Sequence, residues 1–311
     1  MYSNSLKSLN NKFILVIILF FLFASIFSLQ KESLKYSEPF FLIGFRMTIA
    51  GAIILLFNIK SLKLINFKNL KYFLYLSIFN IYLNSIFEIW GLNNMSSSKA
   101  CMIYSLSPFI TSLAAFFLLG EKLNIKKFIG MLIGFLGLIP LTYFRTYKEI
   151  NSGNLFIFSL SELSLMLSVI FSVFGWIYLK KIINLGYNSF LANSFSMFLG
   201  GLLILLHSFI FGESWNPIPV INLKKFLFYT IITCFISNII CYNLFGYLLK
   251  FFSTTFMTFS GLMTPFFASF FGYIFLKENL SFMFIISLLL FLLGLIIFYN
   301  EEISKNKFIY K

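Results

Sequence analysis

From Phe13 to Leu29 the chain carries no charged side chain, and runs of this kind recur along its length. A bilayer core takes roughly 20 apolar residues per helix and requires every backbone polar group inside it to be bonded within its own segment. On that template ten spans are expected, at 13–30, 39–58, 70–91, 98–119, 125–144, 155–179, 188–212, 225–248, 254–276 and 280–299. Water-filled β-barrels alternate apolar and polar residues and lack such runs. With 59% hydrophobic and only 11% charged residues in 311, against about 25% charged in soluble domains, a soluble globular enzyme is excluded. The first span is too long for a secretory leader, and Gln30-Lys31-Glu32 stands where small residues would permit cleavage, so it is read as a retained helix. The fold class expected is an all-α membrane protein.

Lys and Arg number 24 against 10 acidic residues, a net charge of +14. In a soluble chain that excess would suggest nucleic acid. Here the cations lie in short loops, so they report topology and anionic headgroups, and no nucleic acid is expected. Counting alternate loops gives 15 cations on the side holding both termini and 8 on the other, which predicts cytoplasmic termini. Cys101, Cys234 and Cys241 fall inside apolar runs without metal-ligand spacing, and neither metal nor cofactor is expected.

Pro108 and Pro265, Glu121 and Glu278, and Gly137 and Gly294 all share one offset of 157 residues. Three unlike residue types at a common offset argue for an internal repeat. Five spans per half make the second half inverted relative to the first, with repeats at 1–149 and 150–311. Glu121 and Glu278 close helices on opposite faces in turns beside Lys122 and Lys277, which suggests turn locking. Pro108 and Pro265 each remove a backbone hydrogen bond within a span and are candidate bends or gates. Gly130, Gly134 and Gly137 have the small-residue spacing that lets spans five and ten approach closely.

The stretches Ser107-Pro108 to Leu123 and Thr264-Pro265 to Leu280, with Gly44-Phe45-Arg46 and the three glycines, resemble the drug/metabolite transporter superfamily of ten-helix proteins with two EamA-like repeats. The resemblance spans nearly the whole chain. It implies a secondary carrier that alternates access across the bacterial inner membrane by rocking its halves. Span seven has no arginine to match Arg46, which implies asymmetric function between the halves.

Within the spans, Arg46, Glu88, Glu162 and His207 are the ionisable residues, each costly in hydrocarbon. On the expected topology all four lie in the outer half of the membrane. Arg46 is a candidate bidentate clamp for a carboxylate, with a structural ion pair to Glu88 or Glu162 as the plainer reading. Glu162 is also a candidate proton relay, and His207 reads as interfacial. Trp90, Tyr104, Trp176 and Tyr242 are candidates for stacking on a planar or cationic ligand, and Asn80, Asn84, Asn238 and Asn243 for hydrogen-bonding one.

The function expected is transport of a small organic metabolite, with the bilayer and the small-molecule substrate as partners and a homodimer left open. An intramembrane enzyme would need a cluster of Asp, His or Glu at one face, and the chain has no aspartate and one histidine. A P-loop is absent, which excludes ATP hydrolysis as the drive. A structural subunit would need neither paired repeats nor a buried arginine. Within the superfamily the chain is similar to the carriers that import S-adenosylmethionine, often in exchange for S-adenosylhomocysteine. Amino-acid or drug export within the same superfamily is the alternative.

Overall fold

The computed structural model describes residues 2–93, 103–122, 124–146, 160–267, 270–271 and 282–309. These residues are helical apart from short connections and one isolated bridge between Ser37 and Val220, with no strand among them. Besides a single helical turn at Ile59–Leu62, the main helices among the described residues are α1 (Tyr2–Ser33), α2 (Pro39–Phe57), α3 (Phe67–Leu92), α4 (Ser107–Leu119), α5 (Ile125–Thr146), α6 (Leu160–Asn184), α7 (Ser189–Ile210), α8 (Leu223–Leu248), α9 (Thr254–Ser260) and α10 (Phe282–Ile309). Six of the described helices are long and apolar enough to cross a membrane: α2, α3, α6, α7, α8 and residues Phe284–Ile303 of α10. Their outward faces carry large apolar side chains such as Leu56, Phe209 and Ile231, as lipid contact demands.

The repeat is visible in reciprocal contacts. A Cβ built on Gly44 of α2 would stand 2.9 Å from the backbone nitrogen of Leu205 of α7, and one on Gly201 of α7 would stand 2.5 Å from that of Thr48 of α2. Gly201 follows Gly44, and Leu205 follows Thr48, by the same 157 residues. Each contact is therefore the image of the other, as a two-fold relation requires. The same holds for α5 and α10, where a Cβ built on Gly130 would stand 2.8 Å from the Gly294 carbonyl oxygen and one on Gly137 would stand 3.0 Å from that of Ser287. In both pairs residue numbers fall along one helix as they rise along its partner. Equivalent helices thus run antiparallel, the arrangement of inverted repeats. Glycine at Gly130, Gly134 and Gly137 permits this backbone contact, as the spacing predicted, and Gly294 meets Gly130 and Gly134 from the other side.

Two further features keep the offset. Residues Ser77–Leu83 of α3 and Cys234–Cys241 of α8 are wound as π-helix, a widening frequent at functional sites. A turn at Ser105-Leu106 and a 3₁₀ stretch at Gly261–Met263 interrupt the helices just before Pro108 and Pro265. Pro108 accordingly opens α4 in its first turn, where a missing N–H costs nothing. It marks the restart of a broken helix and does not bend a continuous one.

The main core joins α1, α6, α8, α9 and α10 through aromatic rings, among them Phe20, Phe245, Phe256, Phe259, Phe291 and Phe298. A smaller cluster of Ile43, Met47, Ala50, Ile81 and Met197 lies where α2, α3 and α7 meet.

Candidate functional site

Arg46 sits two turns into α2 with 5% of its surface exposed. Its guanidinium reaches Gln30 Oε1 of α1 at 3.5 Å and lies within electrostatic reach of Glu88 of α3 and Tyr242 of α8. Cys234 of α8 packs on its backbone, Sγ to carbonyl oxygen at 3.9 Å. The guanidinium Nε is buried without a hydrogen-bond partner. An arginine enclosed this way, with donating capacity to spare, can grip an anion.

The Glu88 carboxylate faces the hydroxyl of Tyr104. That hydroxyl lies 2.9 Å from Ser168 Oγ of α6, which donates to Asn84 Oδ1 of α3 at 2.8 Å. One polar chain therefore ties α3 to α6. Glu88, Tyr104 and Tyr242 are enclosed by protein yet each keeps some accessible surface, as side chains lining an internal crevice do. The Tyr242 ring stands 5.5 Å from that of Trp176, which stacks on Phe245 at 4.1 Å. Asn238, on the π-helical stretch of α8, donates to Met47 Sδ at 2.8 Å and keeps its Oδ1 unpartnered.

Arg46, Glu88, Tyr104, Trp176, Asn238 and Tyr242 thus belong to the helices that meet at this centre. Glu162 lies half-buried in the first turn of α6, and Trp90 is 42% exposed. His207 meets the Tyr82 hydroxyl at 3.3 Å through Nδ1 and packs against Phe40 and Phe211.

A second polar cluster, of which sequence reasoning singled out only Glu121, closes the face holding both chain ends. Glu302 of α10 is buried against Lys127 of α5 and accepts the backbone N–H of Ser253 at 2.6 Å. Glu121 reaches across to the second repeat, where it accepts the N–H of Thr254 at 2.9 Å and the hydroxyl of Thr255 at 3.1 Å. Lys180 of α6 donates to the carbonyls of Leu249 and Phe252. The link from α8 to α9 offers free carbonyls and then free amides, and the cation and the two carboxylates answer them in that order. Glu121 therefore locks one repeat to the other as well as closing its own turn, where Gly120 takes the left-handed cap at φ 69°. Glu278, its counterpart by the repeat, lies outside the described residues, and Pro265 stands in the first turn of the helix that resumes at Thr264.

Compared with known proteins, the sequence matches the family model described as the EamA-like transporter family twice, over residues 11–143 and 159–300. The chain belongs to this family. A protein of Chlamydia muridarum named S-adenosylmethionine/S-adenosylhomocysteine transporter is 34% identical over 92% of this chain and 91% of its own length. One of the same name from Chlamydia trachomatis serovar L2 is 33% identical over 92% of this chain and 88% of its own. A solved crystal structure at 15% identity superposes with a TM-score of 0.70, covering 94% of this chain and 98% of the other, and so shares the fold. Members of this family are transporters, which removes the enzyme reading.

Proposed function

We propose that this EamA-family transporter takes up S-adenosylmethionine across the bacterial inner membrane in exchange for S-adenosylhomocysteine. The observation that carries the reading is the enclosed Arg46 and Glu88 pair beside the aromatic faces of Trp176 and Tyr242. Arg46 takes the α-carboxylate through two parallel N–H bonds and Glu88 takes the α-ammonium, so that each buried charge meets an opposite one. The sulfonium rests against the Trp176 and Tyr242 rings, whose faces attract cations. The names of the two chlamydial relatives support the same substrate.

In this reading the chain spans the membrane ten times, with repeats at 1–149 and 150–311, both termini cytoplasmic and the crevice opening outward. Pro108 and Pro265 mark the broken helices that move as access alternates, and the Glu121 cluster closes the cytoplasmic side. A reporter enzyme active only outside the cytoplasm should be silent when fused after Lys311 and active after Lys277.

Arg46 and Glu88 would hold a zwitterionic amino acid equally well, so amino-acid export is the second reading. Cells expressing the protein should accumulate labelled S-adenosylmethionine, and unlabelled S-adenosylhomocysteine should compete while a mixture of ordinary amino acids should not. Competition by the amino acids alone would replace uptake with export.

A further inference from the structure

Asn80 lies in the π-helical stretch of α3, two turns deeper than Glu88, and only 1% of it is exposed. Both its amide atoms, Oδ1 and Nδ2, stand without a hydrogen-bond partner. Its neighbour along the helix is satisfied: Asn84 accepts from Ser168 Oγ and donates through Nδ2 to the Asn80 carbonyl at 3.3 Å. Burying an amide with neither end paired is costly, and a hydrophobic side chain would fill the same space. Asn80 packs closely on the opposing helix, where a Cβ built on Gly175 of α6 would stand 2.3 Å from the Asn80 Cβ and 2.6 Å from its Oδ1. The residue after Gly175 is Trp176, whose ring belongs to the aromatic pair described above.

We infer that Asn80 reads the adenine edge of the transported nucleoside, with Oδ1 accepting from the N6 amino group and Nδ2 donating to N7. The inference rests on the proposed function and adds the residue that makes the site specific for a purine. An asparagine amide offers one acceptor and one donor side by side, and adenine presents the complementary donor and acceptor at N6 and N7. Eight residues of helix separate Asn80 from Glu88, about 12 Å along the axis. That separation suits a ligand whose amino-acid end is held by Arg46 and Glu88 and whose base lies beyond the sulfonium and ribose. Other amino-acid zwitterions satisfy the Arg46 and Glu88 end and leave the Asn80 amide bare, so the same residue disfavours them.

The test is displacement of labelled S-adenosylhomocysteine from membranes containing the full-length protein, which also reads a variant that binds without turning over. The competitors are unlabelled S-adenosylhomocysteine, its 6-keto (inosine) counterpart and its 7-deaza counterpart. The wild type should prefer the adenine compound over both by roughly 5- to 150-fold, the range of a bidentate pair. Asn80→Ala should bring the three together, and Asn80→Asp, which cannot donate to N7, should erase the preference over the 7-deaza compound. If Asn80→Ala does not insert, Asn80→Ser gives the same ratio. A residue that merely packs would change all three affinities alike. A preference that survives substitution, or a wild type that ranks the three equally, overturns the role of Asn80 and leaves the proposed function standing. Wild-type membranes that bind no S-adenosylhomocysteine overturn both.

Discussion

The carboxylate of Glu121, at the end of the first repeat's fourth helix, accepts the backbone N–H of Thr254, the first residue of α9 in the second repeat, at 2.9 Å. Glu121 also accepts from the N–H and hydroxyl of Thr255, so its charge lies at the positive end of α9. Losing a helix cap costs about 0.5–2 kcal/mol. Glu121→Ala should therefore lower the melting temperature of the purified protein, and Glu121→Gln, which keeps an acceptor but loses the charge, should fall between it and the wild type. Equal melting of Glu121→Ala and wild type would remove the cross-repeat lock.

The buried Lys127 and Glu302 pair sits at the same face. Removing one partner of such a pair costs about 3–5 kcal/mol because the other charge is left uncompensated in a poorly hydrated place. Lys127→Met should be strongly destabilising. The double variant Lys127→Met with Glu302→Leu should regain most of the loss, short of the unpaired Ser253 amide. Thermal melts of the two single variants and the double one measure the coupling, and additive losses would contradict it.

Glu213 lies in the loop before α8 and caps α2, accepting the N–H of Phe40 at 2.6 Å and of Phe41 at 2.8 Å and the Ser208 hydroxyl at 2.5 Å. Its burial, partly offset by those bonds, holds its pKa above the ordinary 4.5. A folded state with the higher pKa binds the proton more tightly than the unfolded chain. Its contribution is complete below the ordinary carboxylate value and is lost as pH rises through the raised one. Melting temperature should therefore fall across that window as the medium goes from acid to neutral, and Glu213→Gln should flatten this part of the profile. An unchanged profile in Glu213→Gln would assign the pH dependence elsewhere.

The repeat was legible because proline, glutamate and glycine are scarce enough in so apolar a chain for a shared offset to stand out. The close approach of α5 and α10 followed from Gly130 and Gly137, since small residues leave few other packings. A carboxylate near Arg46 was expected because charge in hydrocarbon seeks charge, with Glu88 and Glu162 both open as that partner, and of the two only Glu88 lies within its electrostatic reach. The π-helical turns were not, since no residue preference marks a hydrogen bond that slips by one place. Glu213 was missed because it caps a helix start 173 residues away, a tertiary relation with no local signal. Lys127 was counted among the loop cations, and only the packing of α10 on α5 shows it buried against Glu302.

Arg46 carries the most weight in the proposed mechanism. Its guanidinium has an unpartnered Nε and lies within electrostatic reach of Glu88, so it can accept a carboxylate while Glu88 still offsets its charge. Truncating one partner of a buried charge contact costs about 2 kcal/mol or more, roughly 30-fold in an equilibrium or rate. Arg46→Ala should therefore lose at least about 30-fold in uptake efficiency. Arg46→Lys should keep the charge but recover only part of the loss, because an ammonium cannot make the two parallel bonds. Arg46→Gln combined with Glu88→Gln removes both charges at once and should restore insertion and stability without restoring uptake. That pattern separates a clamp from a structural ion pair. If the double variant transports as well as the wild type, the two residues only neutralise each other, and the carboxylate must be held elsewhere.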